Sequence, residues 1–127
     1  MNIQFDEKNR VFKLDTEHTS YVMAVVDNEG FLGHVYYGAK ISDTDVAYLL
    51  RTDENPMVPS KNNRDRSSFL DTFPMEYPGN GVGDYRESVI AVLDKNGHSA
   101  VQFFYRSHQI FDGKKKIPGL PASFAKE

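Results

Sequence analysis

Four histidines, His18, His34, His98 and His108, are the chain's candidate nitrogen ligands for a metal. They stand 16, 64 and 10 residues apart, so no pair has the i, i+4 spacing of a helical zinc site. The chain has no cysteine, which removes thiolate ligands, disulfides, iron–sulfur clusters and cysteine nucleophiles. A metal would need scattered histidines to converge through the fold. His34 sits beside Val35 and Tyr36 and reads as a packed or edge histidine. Carboxylates are plentiful: Asp43, Asp45, Asp53, Glu54, Asp71, Glu76, Asp84 and Glu87. Glycoside cleavage needs two of them at ~5–5.5 Å or ~6.5–9.5 Å, a distance that sequence spacing does not give. Most such acids are solvated or cap loops.

Gly79-x-Gly81-x-Gly83 is not the dinucleotide-binding G-x-G-x-x-G, and no strand–helix unit surrounds it. It reads as a tight backbone excursion, with Asp84 and Arg86 as a candidate ion pair. The stretch from Arg51-Thr52-Asp53 to Arg64-Asp65-Arg66-Ser67 carries both charge signs. An arginine fork donates to hydroxyls and an aspartate accepts from them, a combination that binds sugars beside aromatic faces. The competing reading is a solvated mixed-charge loop. Lys114-Lys115-Lys116 reads as a charged turn after Asp112-Gly113.

The elements that must position these groups are hairpins. Ile3–Phe5 and Val11–Leu14 flank Asp6–Asn9, Tyr21–Val26 and Phe31–Tyr37 flank Asp27–Gly30, and Val89–Leu93 and Ser99–Tyr105 flank Asp94–Gly97. Asn96-Gly97 supplies the positive φ angles of a tight turn, and the arms are rich in Val, Tyr, Phe and Ile. Three such hairpins predict an all-β domain, an antiparallel β-sandwich with little or no helix. Asp43–Leu50 is readable as a helix capped by Asp43, and Val46–Leu50 within it as a strand. From Gly38 to Glu87 the pattern lapses. Four of the six prolines fall there, yet Phe69, Leu70, Phe73, Met75, Tyr77 and Tyr85 are spaced through it. That composition predicts an ordered excursion packed on this domain or on another chain.

With 127 residues the chain fits one domain. Its net charge of −3 sets up no field for nucleic acid or anionic lipid. Its longest apolar runs, Val22–Val26 and Val89–Leu93, fall far short of the ~20 residues a spanning helix needs. The opening residues lack a signal-like apolar stretch, so a cytoplasmic location is expected. The ending, Gly119-Leu120-Pro121-Ala122 and on to Glu127, resembles neither a closing strand nor a solvating tail, and suggests a fragment.

Several pieces carry a family likeness: Thr19-Ser20-Tyr21-Val22-Met23, Gly33-His34-Val35-Tyr36-Tyr37-Gly38, Phe69-Leu70-Asp71-Thr72, Glu76-Tyr77-Pro78-Gly79-x-Gly81-x-Gly83-Asp84-Tyr85-Arg86-Glu87, Ser107-His108-x-Ile110, Gly113-Lys114 and Gly119-Leu120-Pro121-Ala122. In that order and spacing, the chain resembles the N-terminal part of bacterial α-galactosidases of glycoside hydrolase family thirty-six. The resemblance implies the first portion of a large N-terminal supersandwich, followed in such enzymes by a (β/α)₈ barrel and a small β domain. The barrel carries the retaining double displacement on terminal α-galactosides such as melibiose and raffinose sugars, so residues 1–127 are expected to be inactive alone. No cofactor is implied. Many members resemble tetramers in which this region leans over a neighbour's active site, and motif alignment puts the contributed aspartate and arginine on Asp53 and Arg66. Strands cut off from partners would expose apolar faces, which predicts self-association. Two readings of other classes stand beside this one: a free-standing carbohydrate-binding module, which the aromatic content permits although tryptophan is absent, and a protein-interaction β-domain with open edges.

Overall fold

The computed structural model describes residues 2–26, 28–42, 46–50, 74–79, 86–113, 115 and 117–119. Four strands, β1 (Asn2–Asp6), β2 (Val11–Asp15), β3 (Thr19–Val26) and β4 (Phe31–Ala39), form one sheet in the order β1-β2-β3-β4. Every neighbouring pair is antiparallel. The all-β antiparallel class read from the sequence is therefore the observed one, and its first two hairpins are where the pattern places them.

Each turn has a chemical cause. After β1 the Asp6 carboxylate accepts the backbone N–H groups of Lys8 (2.9 Å) and Asn9 (3.2 Å) and the Asn9 side-chain amide (2.8 Å). Arg10 completes that turn at φ 55°, the left-handed region that asparagine or glycine more often fills. Between β2 and β3 the Thr16 hydroxyl accepts from the Thr19 N–H at 2.9 Å. Between β3 and β4 Gly30 takes φ 77° and donates to the Val26 carbonyl at 3.0 Å.

Register sorts the side chains by face. Val11, Lys13 and Asp15 of β2 stand opposite Ala24, Val22 and Ser20 of β3. That face holds the core: Val11, Val22, Ala24, Val26 and Phe31, joined by Val46 from beyond β4. Burying each such Val or Phe side chain contributes roughly 1.5–3 kcal/mol. The register slips by one residue between Val22 and Met23, leaving Val35 as the extra residue on β4.

The same face encloses polar groups. Lys13, Asp15 and Ser20 are all buried. Lys13 Nζ lies 3.0 Å from Asp15 Oδ2, Ser20 Oγ donates to Asp15 Oδ1 at 2.6 Å, and the Ile41 N–H donates to Ser20 Oγ at 3.0 Å. A buried ammonium and carboxylate persist only when paired in this way.

Two sequence expectations resolve differently. Val46–Leu50 is neither a full helix nor a strand: Ala47–Leu49 form a single 3-10 turn, and the 43–45 stretch that includes the proposed Asp43 cap lies outside the described residues. The third hairpin is reduced to its turn. Gly97 takes φ 83° and the Asp94 N–H donates to the His98 carbonyl at 3.0 Å, but the arms form no ladder among the described residues. Val89, Ile90, Val92 and Leu93 are all exposed, so that arm packs its apolar side chains against nothing among the described residues, and an unsupported hairpin is marginal in water.

Candidate functional site at the edge of β4

The face of the sheet opposite the core carries Tyr21 on β3 and His34 on β4. A one-residue bulge lies between Val22 and Met23. The two rings meet edge-on, with centroids 5.3 Å apart, and Tyr37 adds a third ring 5.9 Å from Tyr21.

The returning limb of the excursion completes this cluster. Met75 pairs with Gly33 in an antiparallel bridge, closed by His34 N–H to the Pro74 carbonyl (2.7 Å) and Glu76 N–H to the Leu32 carbonyl (2.9 Å). Strand alternation then turns Met75 toward the core and Glu76 toward Tyr21 and His34. Both carboxylate oxygens of Glu76 are used: Oε1 faces His34 Nδ1 at 2.9 Å, and Oε2 accepts a hydrogen bond from the Tyr21 hydroxyl. The Glu76 side chain is 14% exposed and His34 39%, so one flank of the imidazole reaches solvent. Burial, reinforced by the hydrogen bond and charge of Glu76, holds the Tyr21 phenol far above its ordinary value, so it remains a donor.

The limb is fixed twice more. Gly79 is buried against Val101, and the Val89 N–H donates to the Pro78 carbonyl at 3.2 Å. Beyond it, Tyr105 N–H donates to the Gly30 carbonyl at 2.7 Å, and Phe104 stacks on Phe31 with centroids 4.9 Å apart. Leu32, Met75, Tyr77 and residues 103–107 border a groove of about 310 Å³. The outgoing end of the excursion is anchored as well, with Val46 in the core and Ile41, Ala47 and Leu50 packed against it.

The remaining histidines go elsewhere. His108 packs at a tilt against Phe5 (centroids 4.4 Å) and edge-on against Phe12 (4.8 Å), and shares a 2.8 Å hydrogen bond with the Tyr105 hydroxyl. His98 pairs with Asp94 at 3.0 Å, and His18 lies exposed 3.8 Å from Glu17. Among the described residues no three His, Asp or Glu side chains group to hold a metal ion, and no helix is long and apolar enough to cross a membrane.

Of the residues singled out from sequence, Asp53 and Arg66 lie in 51–73, outside the described residues, as do Gly81, Gly83 and Asp84. The edge reading of His34 is the one observed. Its partnership with Glu76 and Tyr21 was not visible in the sequence, since the three residues are 42 and 55 positions apart.

An antiparallel meander whose long excursion returns to pair on its last strand defines an all-β domain of a particular kind. Residues 30–127 match the glycosyl hydrolase family 36 N-terminal domain. The chain is 35% identical over 129 residues to the bifunctional alpha-galactosidase/sucrose kinase AgaSK of Mediterraneibacter gnavus, which covers 100% of this chain and 14% of that protein. It is 32% identical to alpha-galactosidase AgaA of Geobacillus stearothermophilus, across 98% of this chain and 17% of that protein. The solved galactosidase domain of AgaSK superposes with a TM-score of 0.81 at 34% identity, covering 98% of this chain and 17% of that one. An AgaA variant solved in complex with raffinose gives 0.73 at 32% identity, covering 92% and 16%. The chain thus belongs to glycosyl hydrolase family 36 and corresponds to its N-terminal domain, as the motif likeness implied. It spans between 14% and 17% of the length of the two curated relatives described.

Proposed function

We propose that this chain works as the N-terminal β-domain of a cytoplasmic α-galactosidase, inactive alone, which helps the enzyme assemble as a homo-oligomer and completes a neighbouring subunit's active site. Asp53 would accept hydrogen bonds from sugar hydroxyls, and Arg66 would donate to them or orient Asp53. The substrates of the whole enzyme are terminal α-galactosides of the melibiose and raffinose kind.

One observation carries the reading. Both described ends of the excursion holding Asp53 and Arg66 are fastened to the same strand region: Val46 is 3% exposed in the core beside β4, and Met75 is bridged to Gly33 of β4. A segment whose two ends are fixed can present contact groups at a set place on a rigid scaffold. The relatives named as α-galactosidases, one of them solved with raffinose, supply the substrate class. Exposed Tyr48, Leu49, Val89 and Leu93 supply apolar surface for assembly. The absence of cysteine agrees with a reducing compartment.

The test is kinetic. In the full-length enzyme, Asp53→Asn and Arg66→Ala should each raise KM for melibiose about tenfold, the loss of one good hydrogen bond to substrate. Residues 1–127 alone should turn over no galactoside. Unchanged KM in both variants overturns the site assignment. Binding of galactose by the isolated chain in calorimetry would favour the carbohydrate-binding module instead.

A further inference from the structure

We propose that Glu76 is a positioning residue for substrate binding, acting through the limb Pro74–Gly79 without touching sugar. The inference rests on the reading above, that Asp53 and Arg66 serve a neighbouring site. The limb continues directly from residue 73, so whatever fixes the limb on β4 fixes the point at which the excursion rejoins the sheet.

The backbone part of that attachment is small. A single bridge, Gly33 with Met75, carries two hydrogen bonds of 2.7 and 2.9 Å. On an edge strand, so short a pairing slips or frays easily, because register is specified by side chains rather than by the ladder itself. Glu76 supplies that specification. Its two oxygens are divided between residues on two different strands, His34 of β4 and Tyr21 of β3. A one-residue slip would send the carboxylate to the core face and the Met75 side chain out of the apolar cluster it packs against. The fork of one carboxylate across two strands therefore locks both register and direction. Tyr21 adds rigidity, since burial and the carboxylate keep its hydroxyl protonated and donating.

The chemistry also explains why an acid serves here better than an amide. A carboxylate accepts at both oxygens, whereas glutamine offers one acceptor and one donor. Glutamine at this position accepts from one partner and turns an N–H toward the other, which must then switch from donating to accepting, as the His34 ring does by changing tautomer.

The experiment uses the full-length enzyme with melibiose. Glu76→Ala should raise KM about tenfold with kcat within about twofold, because a displaced contact group costs binding while the barrel chemistry is untouched. Glu76→Gln should give an intermediate rise. Adding Glu76→Ala to the double variant Asp53→Asn/Arg66→Ala should raise KM no further, since the contact groups it positions are already gone; such non-additivity is the signature of coupling. Tyr21→Phe, which removes one arm and keeps the ring, serves if Glu76→Ala fails to fold, and should raise KM less than Asp53→Asn. If Asp53→Asn and Arg66→Ala raise KM but Glu76→Ala and Tyr21→Phe do not, the positioning role is overturned and the site reading stands. A further rise in KM when Glu76→Ala is added to that double variant also overturns it. If Asp53→Asn and Arg66→Ala leave KM unchanged, the reading beneath it falls.

Discussion

Gly79 lies so close to Val101 that a Cβ built on it would stand 1.9 Å from the Val101 carbonyl oxygen. The φ angle of Gly79 is ordinary, so the constraint is space, and the obstructing atom is backbone, which has no rotamer to yield.

Gly79→Ala should therefore destabilise the packing of the limb by about 3 kcal/mol, near the upper end for overpacking. Chemical denaturation measures the loss. Hydrogen exchange locates it: the amides of His34 and Glu76, which close the Gly33–Met75 bridge, should lose protection first. An unchanged denaturation midpoint would show that the two segments are not pressed together.

The Tyr21 phenol should titrate late. In the folded state burial first, and then Glu76, keep its proton well beyond the ordinary 10.0. In the unfolded chain the proton leaves at that ordinary value. The folded state thus binds more protons above pH 10, and the stability Tyr21 supplies is complete below pH 10 and falls as pH rises past it. Alkaline titration at the tyrosinate absorbance should show a late step that Tyr21→Phe removes. A titration curve unaltered in its last step by that change would contradict the arrangement.

Asp15 predicts the opposite limb of the stability curve. The Ser20 hydroxyl first, and Lys13 second, hold its carboxyl below the ordinary 3.8. The unfolded state binds the proton more readily, so the stability from Asp15 is present above pH 3.8 and is lost as pH falls further. Asp15→Asn should lower stability at neutral pH, since Lys13 would remain buried without its counter-charge, and should flatten the acid limb. Denaturation midpoints at pH 7 and pH 3 compare the two. Equal acid sensitivity in the variant and the parent would refute the assignment.

The part of this fold written in local pattern was legible, and the part written in long-range pairing was not. Gly30 and the Asp6 turn announce their hairpins within four residues, because glycine conformation and an aspartate cap act locally. Asn96-Gly97 made its turn for the same reason, yet the arms did not ladder, because pairing needs a buried face that Val89 and Leu93 lack. The described ends of the Gly38–Glu87 excursion pack on this sheet, one of the two partners the composition allowed. The Glu76 fork was hidden, since nothing near Glu76 in the chain distinguishes it from a solvated acid. Only the Gly33–Met75 bridge brings it to His34. Asp53 and Arg66 rest on motif likeness alone, with no local signal beyond mixed charge.

The strands pair strictly with their sequence neighbours, while the bridge joins Gly33 to Met75 across a long stretch of chain. Closing a loop of that length costs more entropy than closing any of the tight turns, and rates of formation follow contact separation. The meander should accordingly assemble early, with the limb docking after it and released before it on warming. The strip of chain that fastens the excursion would then act as a thermal fuse, disconnecting that region while the four-stranded platform stays intact.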